Sequence, residues 1–387
     1  MQEISFQFKI EGAQFLGSIF MISLPYLWFK SAILAPIIIK TDHKMKKILV
    51  LAFLPAILLS CSAQNGKVEN ADPMEYAKSI TAEELKEHLY TFASDEFEGR
   101  ETGEPGQKKA AEYLKNEYKS LNLPSPLGGD DYFQEVPTSY FRNGNIKPTE
   151  NVVAFLEGSE KPEEILVISS HYDHVGIDDA GNIYNGADDD GSGTVGILEI
   201  AEAFVQASKD GYTPKRSILF LNVTGEEKGL VGSKFYTDEP IFPLENTVAN
   251  LNIDMIGRID PFHEGNENYV YLIGSDKLST DLHNLSEAVN SKYTNLDLDY
   301  KYNDENDPNR FYYRSDHYNF AKNNIPIIFY FNGTHADYHK PTDTPDKIEY
   351  ELLAKRARLV FLTAWEIANR DARIVVDKAE DSASVGK

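Results

Sequence analysis

Short apolar runs that stop in polar turns set the rhythm of this chain. Residues 165–168 lead into Ser169-Ser170-His171-Tyr172-Asp173, and the largely apolar residues 218–223 lead into Thr224-Gly225-Glu226-Glu227. A third run, 248–253, leads into Asp254-Met255-Ile256-Gly257. Runs of this length predict buried strands of a parallel or mixed sheet. Residues 151–156 predict the first strand and 325–331 a late one. Helical patterns lie between and around them. Thr81-Ala82-Glu83-Glu84 is a capping box leading into Leu85, Leu89 and Phe92. Apolar residues also recur at helical spacing over 107–121, 193–205, 280–289 and 350–367. Such alternation predicts a layered α/β fold. No internal repeat or low-complexity linker interrupts 73–370.

What ends these runs is chemically unusual. Carboxylates normally stay in water, yet here they follow stretches that read as buried. In open α/β sheets ligands bind beyond the carboxyl ends of the strands, so acids and a histidine at three strand ends suggest a metal site. In His171-Tyr172-Asp173 the carboxylate is expected to hold the second imidazole nitrogen of a metal-ligating histidine. The triplet Asp188-Asp189-Asp190 sits in a glycine-rich turn at a helix start. A helix dipole explains one acid there; a divalent cation is the better account of three. Glu226 and Glu227 are neighbours in an extended chain and point apart, so one can ligate while the other serves as general base. Asp254 ends a strand where an uncompensated acid would be costly. His339 lies in a loop before the last helix, with His174, His317 and His335 as competing candidates.

Composition adds compartment and partner expectations. The net charge of −23 argues against a nucleic-acid partner. The one cysteine, Cys61, follows a positive start at Met45-Lys46-Lys47 and an apolar stretch 48–59. That is the layout of a signal peptide over 45–60, and Leu58-Leu59-Ser60-Cys61 resembles a bacterial lipobox. The expected result is a protein lipid-anchored at Cys61 in the bacterial cell envelope, periplasmic or surface-facing, with 61–80 as a tether. Residues 1–44 fit poorly with a signal starting at Met45 and read as an extension upstream of the true start. Within them 15–39 is apolar enough to pass for a membrane helix. A single domain is expected over 81–370, followed by a disordered tail at 371–387.

At this point the residues match a family. The chain resembles the co-catalytic zinc exopeptidases that include bacterial leucyl aminopeptidase and aminopeptidase Y, and more distantly glutamate carboxypeptidase and the glutaminyl cyclases. The resemblance covers roughly 81–368. It rests on His-Tyr-Asp-His, Gly-Ala-Asp-Asp-Asp-Gly-Ser-Gly, Thr-Gly-Glu-Glu-Lys-Gly-Leu-Val-Gly-Ser, Asn-Ile-Asp-Met-Ile-Gly-Arg and Tyr-His-Lys-Pro-Thr-Asp-Thr, in the family's order. The loop Phe97-Glu98-Gly99-Arg100 is also typical of it. The resemblance implies a three-layer α/β/α sandwich around a mixed, mostly parallel sheet. It implies two zinc ions: His171 and Asp254 on one, Glu227 and His339 on the other, and Asp189 bridging, although spacing alone leaves Asp188 open. Glu226 matches the general base, Tyr338 an oxyanion donor, and Arg314 falls in a segment lining the substrate cleft. Two zinc ions bring +4 and the three ligand carboxylates −3, which favours a bridging hydroxide as nucleophile. The implied activity is aminopeptidase, acting on peptides with a free N-terminus, and the enzyme is expected to be a monomer. Carboxypeptidase or dipeptidase activity, a one-zinc glutaminyl cyclase and an inactive binding lipoprotein are the alternatives. Only a short link separates Phe133-Gln134-Glu135-Val136 from the strand at 151–156, so the protease-associated domain that many secreted relatives insert between their early strands is not expected here.

Overall fold

The computed structural model describes residues 71–142 and 146–378, together with two short stretches at 4–10 and 13–19. The two short stretches pair as an antiparallel hairpin, Ile4 opposite Ile19 and Ile10 opposite Ala13. The apolar segment 15–39 therefore begins as a strand instead of a helix. Its partner Ile4–Ile10 alternates apolar and polar residues, a period of two that suits an extended chain. The rest of that segment, the signal region, Cys61 and the tether up to residue 70 lie outside the described residues. Among the described residues no helix is long and apolar enough to cross a membrane. By its contacts the chain divides into residues 1–65 and 66–387, of which the second is the larger unit.

Eight strands form its central sheet: β1 (Phe133–Val136), β2 (Thr149–Leu156), β3 (Lys161–His171), β4 (Arg216–Val223), β5 (Thr247–Ile253), β6 (Tyr269–Ile273), β7 (Asp297–Asp299) and β8 (Ile327–Phe331). Their order across the sheet is β7-β6-β8-β5-β3-β4-β2-β1. The pairs β7–β6, β8–β5, β5–β3 and β3–β4 are parallel, while β6–β8, β4–β2 and β2–β1 are antiparallel. The sheet is thus mixed and mostly parallel. Alternate residues of its strands enter two separate cores, Leu166, Ile168, Ile218 and Phe220 on one face and Ile165, Val167, Leu219 and Leu221 on the other. That alternation is what a three-layer sandwich requires.

Helices α1 (Pro73–Ala77), α2 (Ala82–Phe92), α3 (Pro105–Ser120), α4 (Gly193–Lys209), α5 (Val231–Asp238), α6 (Thr280–Val289), α7 (His317–Ala321) and α8 (Tyr350–Asn369) flank the sheet. The expected N-cap is present, since Thr81 Oγ1 accepts from the Glu84 N–H at 3.2 Å, but the Glu84 carboxylate meets the Thr81 hydroxyl at 2.7 Å and not the Thr81 N–H that a full capping box would use. Two boundaries need correction. The tether was expected to run to residue 80, but α1 packs into the core through Tyr76, which stacks on Trp365 at 5.8 Å. The tail was expected to be disordered from 371, but Ile374 is buried and Asp377 accepts from the Thr280 N–H at the start of α6. In both cases a few apolar or capping residues suffice to dock a segment too short to show a period. The first strand is likewise β1, which precedes the expected 151–156 and pairs with it at the sheet edge.

Candidate metal centre

The sheet places the site. Strand β3 is central, the chain moves next to β4 on one side and then to β5 on the other, so the connections diverge at its carboxyl end. Such a switch point opens a crevice. In register, His171 lies opposite Val223 of β4. Ser169 lies opposite Asn252 of β5, which brings Asp254 level with His171. The turns after β4 and β5 therefore deliver Glu226, Glu227 and Asp254 to the rim where β3 ends.

Asp189 divides the cluster in two. Its Oδ1 is 3.3 Å from His171 Nε2, which is also 3.7 Å from Asp254 Oδ1. Its Oδ2 is 2.9 Å from His339 Nε2, which is also 3.1 Å from Glu227 Oε1. All five residues expected as ligands thus converge, and a sixth, His174, joins Asp189 and Glu227 in a second group of donors close enough to share an ion. Asp189 Oδ2, Glu227 Oε1 and both ring nitrogens of His174 are buried without a hydrogen bond. Buried polar atoms are nearly always satisfied, so orphans clustered around one point mark a place for a cation. Imidazole nitrogens and carboxylate oxygens are the donor set that suits zinc. Burial works against charge on these acids, but the imidazoles outweigh it, holding Asp189 well below the usual carboxylate range and Glu227 down to about 2.

The aspartate triplet is used differently from the expectation that one cation explains all three. Only Asp189 faces the donor cluster. Asp188 accepts from Gly257 N at 2.7 Å and Ser192 Oγ at 3.0 Å, and meets His335 Nε2 at 3.1 Å. Asp190 accepts from Gly193 N at 2.9 Å, Met255 N at 3.0 Å and His171 N at 3.3 Å. Backbone donors at the start of α4 and in the turn after β5 hold these two carboxylates away from the cluster. Gly193 is required here, because a Cβ would lie 2.4 Å from the Asp190 carboxylate.

Asp173 also departs from expectation. His171 Nδ1 is 3.1 Å from the main-chain carbonyl of Asp173, whose carboxylate is farther away at 3.8 Å. The main-chain carbonyl is what orients the imidazole. The carboxylate accepts instead from Thr102 Oγ1 at 2.6 Å and from the Glu226 N–H at 3.2 Å. It thereby positions the segment bearing the acid pair.

Sequence reasoning missed two supports. Arg100, fully buried, donates to the carbonyls of Tyr172 (3.0 Å), Phe92 (3.1 Å), Asn185 (2.7 Å) and Gly186 (2.8 Å). It ties the turn after β3 to the turn before α4. Burial lowers its pKa to about 10, which still leaves it cationic. Ser315 donates to Asp254 Oδ2 at 2.6 Å and accepts from Asn252 Nδ2 at 2.9 Å. The signals were there, in the Phe97–Arg100 loop and beside Arg314, but a structural arginine and a single serine have no spacing rule. Of the competing histidines, His317 is a core residue bonded to the Tyr312 carbonyl at 2.8 Å, and burial lowers it to about 3.

Glu226 is half-buried among these groups. Burial pushes its carboxyl well above the usual range; His171 opposes this, and the charges of Glu227 and Asp254 add to it. Met255, Phe311, Phe329 and Phe331 form an apolar wall of the adjoining cavity, which Tyr338 and Arg314 also line. Tyr338 stacks on His339 at 4.0 Å, and its hydroxyl lies 3.4 Å from Arg314 Nη2.

Comparison with known proteins agrees with this geometry. The chain is similar to a probable leucine aminopeptidase of Arthroderma benhamiae, 29% identical over 215 residues, covering 54% of this chain and 55% of that protein. A shorter stretch of 126 residues is 33% identical to a probable glutamate carboxypeptidase LAMP1 of Arabidopsis thaliana, covering 32% of this chain and 17% of that one. The chain therefore spans about half, or less, of the length of these relatives. In fold it is similar to a zinc aminopeptidase from Bacillus subtilis, with a TM-score of 0.58 at 16% identity, covering 78% of this chain and 99% of the other. The profile of peptidase family M28 matches residues 151–364, from the strand before His171 to the helix after His339. Every donor of the cluster lies inside those bounds, and on that match the chain belongs to peptidase family M28.

Proposed function

We propose that this protein is a di-zinc aminopeptidase, lipid-anchored at Cys61 to the bacterial envelope, that removes N-terminal residues from peptides. The observation that carries the reading is Asp189, whose two oxygens face two separate sets of donors. His171 and Asp254 would hold one zinc, Glu227 and His339 the other, with Asp189 shared. Bound there, the two ions would supply an activated water at neutral pH and polarise the scissile carbonyl. Glu226, with a raised affinity for protons, takes the proton from the attacking water and returns it to the leaving amine. Tyr338, at the cavity wall, donates to the oxygen on which charge develops. Arg314 flanks the entrance, and the acids of the cluster attract the substrate's free α-amino group.

A carboxypeptidase or dipeptidase is the second reading, favoured by Arg314, the only Lys or Arg among the described residues lining the cavity. Rates on free-amine and N-acetylated peptides separate the two. Preference for the free amine, with two zinc ions per chain by elemental analysis, is the expected result. A Glu226→Gln chain that keeps both metals yet retains full turnover would contradict the assignment of the base.

A further inference from the structure

We propose that His174 is a ligand of the second cation site, so that the two halves of the centre are unequal. The inference rests on the two-metal reading above and adds a donor to the five that the family resemblance implies. His174 is 0% exposed, and its backbone is fixed by an N–H bond to the Arg100 carbonyl at 3.1 Å. Neither ring nitrogen makes a hydrogen bond. Yet Nδ1 stands 3.1 Å from Glu227 Oε1 and 3.8 Å from Asp189 Oδ2, the two oxygens that also face His339. A fully enclosed imidazole aimed at two orphaned carboxylate oxygens is a costly arrangement unless a cation completes it.

The directions fit as well. The rings of His174 and His339 meet edge to face, 5.6 Å apart at 76°, so they reach the oxygen pair from different sides. Gly186 makes room for this, since a Cβ there would lie 2.6 Å from His174 Cδ2. Asp189 Oδ2, Glu227, His339 and His174 would offer one ion four donors, the number that closes a tetrahedral site. Asp189 Oδ1, His171 and Asp254 would offer the other three, the number that leaves a position open. The His174 side is therefore the anchoring half, and the His171 side is the half left accessible to water and substrate.

Cobalt(II) titrated into the metal-free full chain tests this by absorption. The unsubstituted chain is expected to take up two ions, one markedly more resistant to a chelator than the other. In His174→Gln the resistant ion should weaken at least about tenfold, erasing the difference. In His174→Cys a near-ultraviolet thiolate-to-cobalt charge-transfer band should appear that is absent from the unsubstituted chain, whose one thiol is Cys61. The Cys variant decides the matter if the Gln variant does not fold. Unchanged chelator resistance in His174→Gln, or a folded His174→Cys with no such band, would overturn the assignment. Uptake of a single ion by the unsubstituted chain would overturn the two-metal reading itself, a separate and recognisable result.

Discussion

The carboxylate of Asp173 accepts a hydrogen bond from the Glu226 N–H at 3.2 Å, joining the turn after β3 to the turn after β4. Its other oxygen is occupied by Thr102 Oγ1 at 2.6 Å. The pair keeps the backbone that carries Glu226 and Glu227 in one place relative to His171.

Asp173→Asn should therefore lower kcat by about ten- to a hundredfold, with little effect on zinc content. The amide can still accept from Glu226 but presents N–H groups where Thr102 donates. Kinetics paired with metal analysis check this; loss of zinc in step with kcat would mean that Asp173 acts on the ligands instead of the base.

Arg100→Lys should destabilise the fold by about 2–4 kcal/mol, because one ammonium cannot serve four carbonyls and leaves some buried and unpaired. The turns that Arg100 ties carry His171 and Asp189, so zinc affinity should fall along with stability. Denaturant unfolding with and without zinc measures both; a variant of unchanged stability would show that the four contacts are dispensable.

Stability of the metal-free chain should depend on pH through His339. Burial would lower this histidine, but the carboxylate oxygens of Asp189 and Glu227, 2.9 and 3.1 Å from its Nε2, outweigh it and carry it up from 6.5 to about 10. A group with a raised folded pKa contributes stability that is complete below the unfolded value and lost as pH rises through the folded one. The chelated protein should thus lose stability between about pH 6.5 and pH 10. Zinc binding at neutral pH should release protons, which calorimetry in buffers of different ionisation enthalpy would detect. A metal-free chain whose melting temperature holds constant across that window would contradict this coupling of His339 to its two acids.

Much of this was written in the sequence wherever pattern and chemistry coincide. The strands ending at His171, Val223 and Ile253 carry mostly apolar runs, each ending within a few residues of an acid or imidazole, so the fold class and the residues that converge at the rim of the sheet could be read. The parts that escaped are those without a period. Strands β6 and β7 lie in a stretch rich in Asn, Asp and Tyr, where Tyr269 and Tyr271 are buried by neighbours distant in sequence. Asp188 and Asp190 look like ligands because composition cannot show that backbone donors of β5 and α4 reach them first. His174 stood among the alternatives for the opposite reason: nothing in a run of His-Tyr-Asp-His says which imidazole turns inward.

Strand β8 enters the sheet between β5 and β6, although it is the last of the described strands, and His339 follows it. The halves of the sheet made earlier cannot close until this late piece threads between them. A polypeptide growing from its first residue would hold His171, Asp189 and Glu227 in order for some time without completing a pocket. The donor set is therefore incomplete in any chain that stops short of β8 and the loop beyond it, because His339 comes last of the five.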